Sequence, residues 1–129
     1  MTPNKTAKLI SKYPKIFHES FWFECNDGWF DIIDDLCSKI QTHVDVSGNQ
    51  IAAAQVKQKF GALRVYIDPS DPETEVDALI YQMIREAEQA SETTCESCGS
   101  PARIQSKNRW LQCLCDSCLD PSVGSPFQP

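Results

Sequence analysis

The chain has few histidines and no long apolar run, and each shortage excludes a class of function. Its 129 residues contain only two histidines, His18 and His43, which stand apart without a recognisable catalytic partner motif. Because an enzyme site needs titratable groups that converge, this pattern does not favour catalysis by histidine. No run of residues approaches the length of a transmembrane helix, so we expect no membrane partner.

Basic side chains are also scarce relative to acids. The chain has 12 Lys and Arg residues against 18 Asp and Glu residues, a formal charge of -6. A protein with this balance is not a general binder of nucleic acid, because most of its surface repels phosphate. The first residues also carry no apolar stretch with a cleavage site, so we expect a cytoplasmic protein.

Cysteine, in contrast, is abundant and patterned. Of seven cysteines, four form two CxxC pairs, Cys95 with Cys98 and Cys115 with Cys118, separated by sixteen residues. This spacing is typical of a four-cysteine zinc ribbon, since tetrahedral zinc needs four soft ligands and a tight CxxC turn supplies two thiolates. Disulfides would instead need an oxidising compartment, which nothing in the sequence indicates. We therefore predict one zinc ion per chain.

Four thiolates would fill the coordination sphere of zinc and leave no position for a reactive water, so the predicted site is structural. Cys25 and Cys37 are interpreted as small buried hydrophobes. Cys113 lies two residues before Cys115 and would face the same side of a strand. Coordination by Cys113 in place of Cys115 is therefore an alternative that spacing alone leaves open.

The hydrophobic pattern predicts an α+β fold, with amphipathic helices packed on a β-hairpin and a C-terminal zinc ribbon. Apolar residues recur at helical spacing over 29–40 and again over 76–90. Residues 51–60 and 63–67 are interpreted as two antiparallel strands, the second with clear alternation. Their turn is expected near Gly61, at an exposed position that requires a positive φ.

These elements divide the chain into four parts. They are a basic N-terminal helix and connection at 1–20, an α-β-β-α body at 21–93, the zinc ribbon at 94–120 and a flexible tail at 121–129. Asn4 or Thr6 is the expected cap of the first helix, and Ser70 or Asp71 that of the last body helix. Because the last body helix leads directly into the first CxxC pair, we expect the ribbon to pack on the body.

Acidic residues are concentrated on the predicted helices. Residues 19–35 carry six acids and no base, and residues 68–96 carry nine acids and one base. Such faces could imitate a phosphate backbone and enter the basic channel of a partner protein, with charge complementarity speeding the encounter. The candidate partner-binding residues are Asp31, Asp35, Glu86 and Glu88.

Basic residues form two short segments in the predicted hairpins. One is Lys57, Lys59 and Arg64. The other lies in an acid-free stretch, residues 97–112, and could offer cations to phosphates and an indole ring to a base. The candidate nucleic-acid-binding residues are Arg103, Lys107, Arg109 and Trp110.

Four motifs resemble a recurrent family of phage and prophage proteins. In this chain they are NDGWF at 26–30, QVKQKFGALRVY at 55–66, CESCG at 95–99 and WLQCLC at 110–115. The family pattern is roughly GDGW[YF], KFGxLRxY, CExCG and W-x3-LC-x2-[CH]. The resemblance covers most of the chain, about residues 21 to 118.

Members of that family look like small phage-encoded zinc proteins of unassigned function. By motif position, the resemblance favours Cys115 and Cys118 over Cys113 as metal ligands. Asn26 and Ala62 stand where the family usually has glycine, which affects the expected turns rather than the zinc site.

The resemblance also implies a phage protein acting in the cytoplasm of a bacterial host. Together with the lack of a catalytic constellation, it favours a zinc-stabilised protein-binding module. Its partner would be a host protein or complex, and it would act as an inhibitor or modifier of a host system such as a defence complex, in the manner of an anti-CRISPR protein. The alternative function is a nucleic-acid-binding regulator that uses the ribbon hairpin.

Overall fold

The computed structural model describes residues 1–48, 50–69 and 78–119, and its architecture is the predicted α+β class. Its helices and strands, in chain order, are α1 (Pro3–Lys12), β1 (Phe23–Glu24), α2 (Phe30–Ser47), β2 (Ile51–Lys59), β3 (Ala62–Pro69), α3 (Ala78–Ser91), β4 (Arg103–Lys107), β5 (Trp110–Leu114) and α4 (Asp116–Leu119). The predicted cap at Ser70 or Asp71 and the predicted tail at 121–129 lie outside the described residues.

Helix α2 forms from the predicted apolar stripe. Ile33, Leu36, Cys37 and Ile40 are buried along one face, which packs into the main core of the molecule. The helix ends at Gly48, whose left-handed backbone (φ 79°) lets its N–H donate to the carbonyl of Val44.

Helix α1 begins earlier than predicted. Its cap is Thr2 rather than Asn4 or Thr6, because Pro3 occupies the first turn, where its fixed φ suits a helix start. Lys12 and Tyr13 then tie the end of α1 to α2, since the ammonium and the hydroxyl both donate to the Asp34 carboxylate, at 2.7 and 2.6 Å.

The predicted hairpin is confirmed, and its turn is tight. β2 and β3 pair antiparallel up to Lys59 and Ala62, which leaves Phe60 and Gly61 as a two-residue turn. Both turn residues have positive φ, 54° and 88°, the arrangement of a type I′ turn. The sheet gains a third strand that the sequence did not predict, because the two-residue β1 pairs parallel to β2.

The body has a helical layer, α2 and α3, that packs on one face of the sheet. Leu63 and Val65 on β3 belong to the core, and α3 packs along this strand, while Arg64 and Tyr66 lie on the alternate, outer face. Side chains of α3 also reach the free edge of β3. The Leu63 N–H donates to the Ser91 hydroxyl at 2.9 Å, and the Val65 N–H donates to Glu88 at 3.1 Å.

The C-terminal module, residues 94–119, is a second hairpin flanked by the CxxC pairs. β4 and β5 pair antiparallel around a turn at Asn108 and Arg109, both again with positive φ. Cys113 of β5 is fully buried within the main core, so this module and the body share one apolar interior. Within the described part of the chain, none of the helices has the length and apolar character that a membrane crossing needs.

Candidate functional site

The two CxxC pairs meet at one point. The sulfur atoms of Cys95, Cys98, Cys115 and Cys118 all lie within 4.8 Å of one another. The first pair sits in the loop before β4, and the second spans the end of β5 and the start of α4. The strands thus bring together residues that are sixteen positions apart, and the cluster could bind a metal ion.

Backbone and hydroxyl groups are aimed at the sulfurs. N–H groups of Cys115, Cys98 and Ser97 hydrogen-bond Cys95, although burial outweighs them and raises the pKa of that thiol. The Ser100 hydroxyl is the main cause that lowers the pKa of Cys98 to about 6, with help from its backbone N–H. Groups that stabilise a thiolate also favour a metal-bound sulfur.

The dimensions fit tetrahedral zinc. A Zn–S bond of about 2.3 Å places sulfurs at the corners of a tetrahedron about 3.8 Å apart. The Sγ atoms of Cys98 and Cys115 lie 3.6 Å apart, near this value, and all four sulfurs lie within 4.8 Å of one another, so modest side-chain shifts would complete the tetrahedron. Gly99, which follows the first pair, has a φ of 84° and donates its N–H to the Cys95 carbonyl, which closes the turn.

Cys113 lies apart from this cluster. Its thiol is fully buried and donates to the carbonyl of Glu92 at 3.3 Å, on the body side of β5. Its backbone carbonyl accepts from the N–H of Glu96. The geometry therefore gives Cys113 a packing position and leaves Cys115 within reach of the other three sulfurs.

The NDGW segment docks directly on the first CxxC turn. Gly28 donates its N–H to the Glu96 carbonyl at 2.7 Å. A Cβ at this glycine would lie 2.1 Å from the Cys95 carbonyl oxygen, so only glycine permits this approach. The next residue, Trp29, is fully buried and donates its indole N–H to the carbonyl of Thr94 at 2.8 Å.

The acid inside the CESC motif is structural. Glu96 is 4% exposed, and its Oε2 accepts from the backbone N–H of Asn26 at 3.1 Å. Its Oε1 has no hydrogen-bond partner among the described residues. Burial raises the pKa of this carboxyl, while the Asn26 N–H and the N-terminal ammonium oppose the rise. Three residues that spacing did not single out, Gly28, Trp29 and Glu96, thus hold the metal cluster against the body.

A second feature is the groove between the two hairpin turns, hereafter the two-turn groove. It has a volume of about 450 Å³. Its walls come from β2 and its turn on one side and from β5 and its turn on the other. The lining residues are Lys57, Gln58, Lys59, Phe60, Arg109, Trp110 and Leu111.

Two contacts fix the groove's walls relative to each other. The side-chain amide of Gln58 donates to the Leu111 carbonyl at 2.8 Å. Gly61 is buried, contrary to the exposed position predicted for it, because Ile104 of β4 covers it. A Cβ at this glycine would lie 2.7 Å from Ile104 Cγ2. The groove is therefore preformed.

The four predicted nucleic-acid-binding residues divide between two environments. Arg109 and Trp110 line the two-turn groove, and Trp110 is 67% exposed. Lys107 donates to the Cys118 carbonyl at 3.4 Å, and Arg103 lies 3.9 Å from Asp116 at the surface. The sequence did not predict that Lys57, Lys59 and Phe60 would line the same groove as Arg109 and Trp110. The only sign of this in the sequence was that the first basic segment contains an aromatic residue, Phe60.

The four predicted partner-binding acids also divide. Asp31, Asp35 and Glu86 are exposed on α2 and α3. Asp35 and Glu86 line one shallow depression between these helices, together with Lys39, which bridges Asp35 at 3.0 Å. Glu88 is instead half-buried and bound to the β3 backbone.

The remaining cysteines are poor nucleophiles. Burial is the main cause that raises the pKa of Cys25 and of Cys37 to about 12, so both thiols stay protonated at neutral pH. His18 accepts a hydrogen bond from the backbone of Ser20 in the connection after α1.

The chain matches no protein-family model, no curated protein and no solved structure. Its metal cluster and its surfaces are therefore the basis for inferring function.

Proposed function

We propose that the chain is a small binding module, stabilised by one structural zinc ion, that engages a protein of a bacterial host. The observation that supports zinc is the cluster of four sulfurs within 4.8 Å of one another, with no histidine or carboxylate in the described cluster to offer a fifth ligand. Such a site stabilises the β4–β5 hairpin and has no open position at which to activate water.

Zinc content is tested by elemental analysis of protein purified without added metal. We expect one equivalent of zinc per chain, released when the thiolates are protonated or chelated. Folded protein that contains no metal, or contains iron in place of zinc, would contradict this part of the proposal.

The charge arrangement supports the host-protein partner. Acids are exposed on the helical layer, and the depression between α2 and α3 brings Asp35 and Glu86 to one surface. An acidic surface held on a rigid frame suits encounter with a basic partner, because complementary charge speeds association. In keeping with the phage resemblance, the partner would belong to a host system that phage must inhibit or modify, such as a defence complex.

The partner is tested by capture from bacterial lysate with matched variants. Asp35→Lys with Glu86→Lys, the two acids that line the depression, should lose a protein that the wild type retains. Glu19→Lys with Asp45→Lys changes the net charge equally, lies outside the depression and should retain it. Glu88 is left intact because it bonds the β3 backbone. Equal retention by both pairs would contradict an acidic binding surface.

A further inference from the structure

The two-turn groove brings together cations and exposed rings from distant parts of the chain. We propose that this groove binds a single strand of nucleic acid, with phosphates on its cations and bases on its rings. This inference goes beyond the host-protein proposal and does not depend on it, because no residue that lines the groove belongs to the acidic helices α2 and α3.

The charge around the groove is positive although the chain is acidic. Residues 51–67 and 97–115, which hold both hairpin turns and most of their strands, have no Asp or Glu and contain six of the chain's 12 bases. Glu24 of β1 is the nearest acid in the sheet, paired in register with Lys57. Lys59 and Arg109 lie farther along, at the turns. None of the acids of α2 and α3 lines the groove.

The aromatic residues are presented rather than buried. Phe60 and Trp110 are 70% and 67% exposed, whereas other large aromatic residues of the chain, such as Trp29 and Phe17, are buried in the core. Base-aromatic stacking needs such rings, and it tolerates any sequence because every base has a π-face. One ring on the first turn and one on the first residue of β5 can hold bases of the same strand.

The backbone at the groove is strained at two non-glycine residues. Phe60 and Arg109 have φ of 54° and 66°, a region that bulky side chains rarely adopt. Burial does not offset the free-energy cost of this backbone conformation, since both side chains are exposed. Strain of this kind is concentrated at functional sites, and here both strained residues line the same groove.

The shape of the groove selects a single strand. A groove of about 450 Å³ can admit an unpaired base, whereas a duplex keeps its base faces stacked inside. The cations and rings of the lining suit phosphates and base faces, which DNA and RNA share. We therefore expect recognition of phosphate and base without discrimination between DNA and RNA.

The test is fluorescence anisotropy with the full zinc-loaded chain and a labelled oligo(dT) of about 12 nucleotides. Saturable binding is expected at low salt. Its affinity should fall with salt at a slope of about -2 on logarithmic axes, because each phosphate contact contributes about -0.7 and the groove offers three cations. An oligo(U) of equal length should bind within about threefold.

Matched variants locate the site. Trp110→Ala should weaken binding about tenfold or more through lost stacking, whereas Trp22→Ala, an equally exposed tryptophan outside the groove, should not. Lys59→Glu with Arg109→Glu should abolish binding. Lys8→Glu with Lys15→Glu changes the net charge equally and should leave it within about threefold.

Phe60→Asn separates function from folding. Asparagine accepts positive φ, and Asn-Gly is the preferred pair for a type I′ turn, so the melting temperature should hold or rise while affinity falls. Four outcomes would overturn the inference. They are no saturable binding at low salt, wild-type affinity in both ring variants, equally tight binding of duplex DNA, and equally effective displacement by poly-glutamate, which would indicate a site for acidic peptides.

Discussion

Cys113 and Cys115 are two residues apart and have different surroundings. Cys115 lies within the sulfur cluster, whereas Cys113 is buried in the main core and bonded to Glu92. We expect Cys115→Ser to lose the zinc and Cys113→Ser to keep it while lowering the melting temperature, since a hydroxyl would replace a sulfur in an apolar site. Zinc per chain and thermal melting check both outcomes, and the opposite pattern would move the ligand to Cys113.

Gly61 and Gly48 can be compared to measure how much a steric contact adds to the cost of a side chain at positive φ. Both have positive φ, but a Cβ meets Ile104 at Gly61 and open space at Gly48. Gly48→Ala should cost about 1 kcal/mol, the cost of a left-handed alanine. Gly61→Ala should cost about 1–3 kcal/mol more, because it also overpacks the contact with β4. Chemical denaturation gives both values, and equal losses would mean that Ile104 moves aside freely.

The sequence predicted some of these features of single residues. The cysteine cluster follows from two short-range pairs, each of which fixes its own turn, and the positive φ of Gly61 follows from a turn between two strands. The burial of Gly61 could not be predicted, because Ile104 is distant in sequence and reaches it only when the two hairpins dock. The same applies to Lys59 and Arg109, which the sequence placed in separate segments.

At the scale of elements, the 3₁₀ turn at Asp27–Trp29 is a connector between the body and the metal cluster. Gly28→Ala should force this turn off the Cys95 carbonyl and lose the hydrogen bond to Glu96. We expect a large fall in melting temperature and faster zinc release to a chelator. Asp27→Ala, next to it, removes only an exposed bond to the Thr2 N–H and should have a small effect.

An unchanged zinc release rate in Gly28→Ala would show that the cluster does not need this turn.

Elements with long periodic patterns, such as α2, were predicted well because their burial repeats over many residues. β1 was missed because two residues, Phe23 and Glu24, carry no period. Its pairing with β2 depends on a parallel alignment that no local signal encodes.

At the scale of the whole molecule, the metal module and the body share one interior. Cys113 lies in the main core, and Trp29 bonds the segment that carries the first CxxC pair. Removing the proposed zinc ion should therefore loosen the body as well as residues 94–119. Hydrogen exchange should show lost protection in β2 and around Trp29, and a body that keeps full protection without metal would contradict this coupling.

The contacts from Ser91 and Glu88 to β3 have a further consequence, for solubility. β3 is an outer strand, and a row of free N–H groups there would invite strands of other molecules to add on and start aggregates. Side chains of α3 occupy the N–H groups of Leu63 and Val65, so the sheet cannot be extended at these positions. Helix α3 thus acts on β3 in two ways, since it covers the apolar face of the strand and blocks strand addition at this part of its edge.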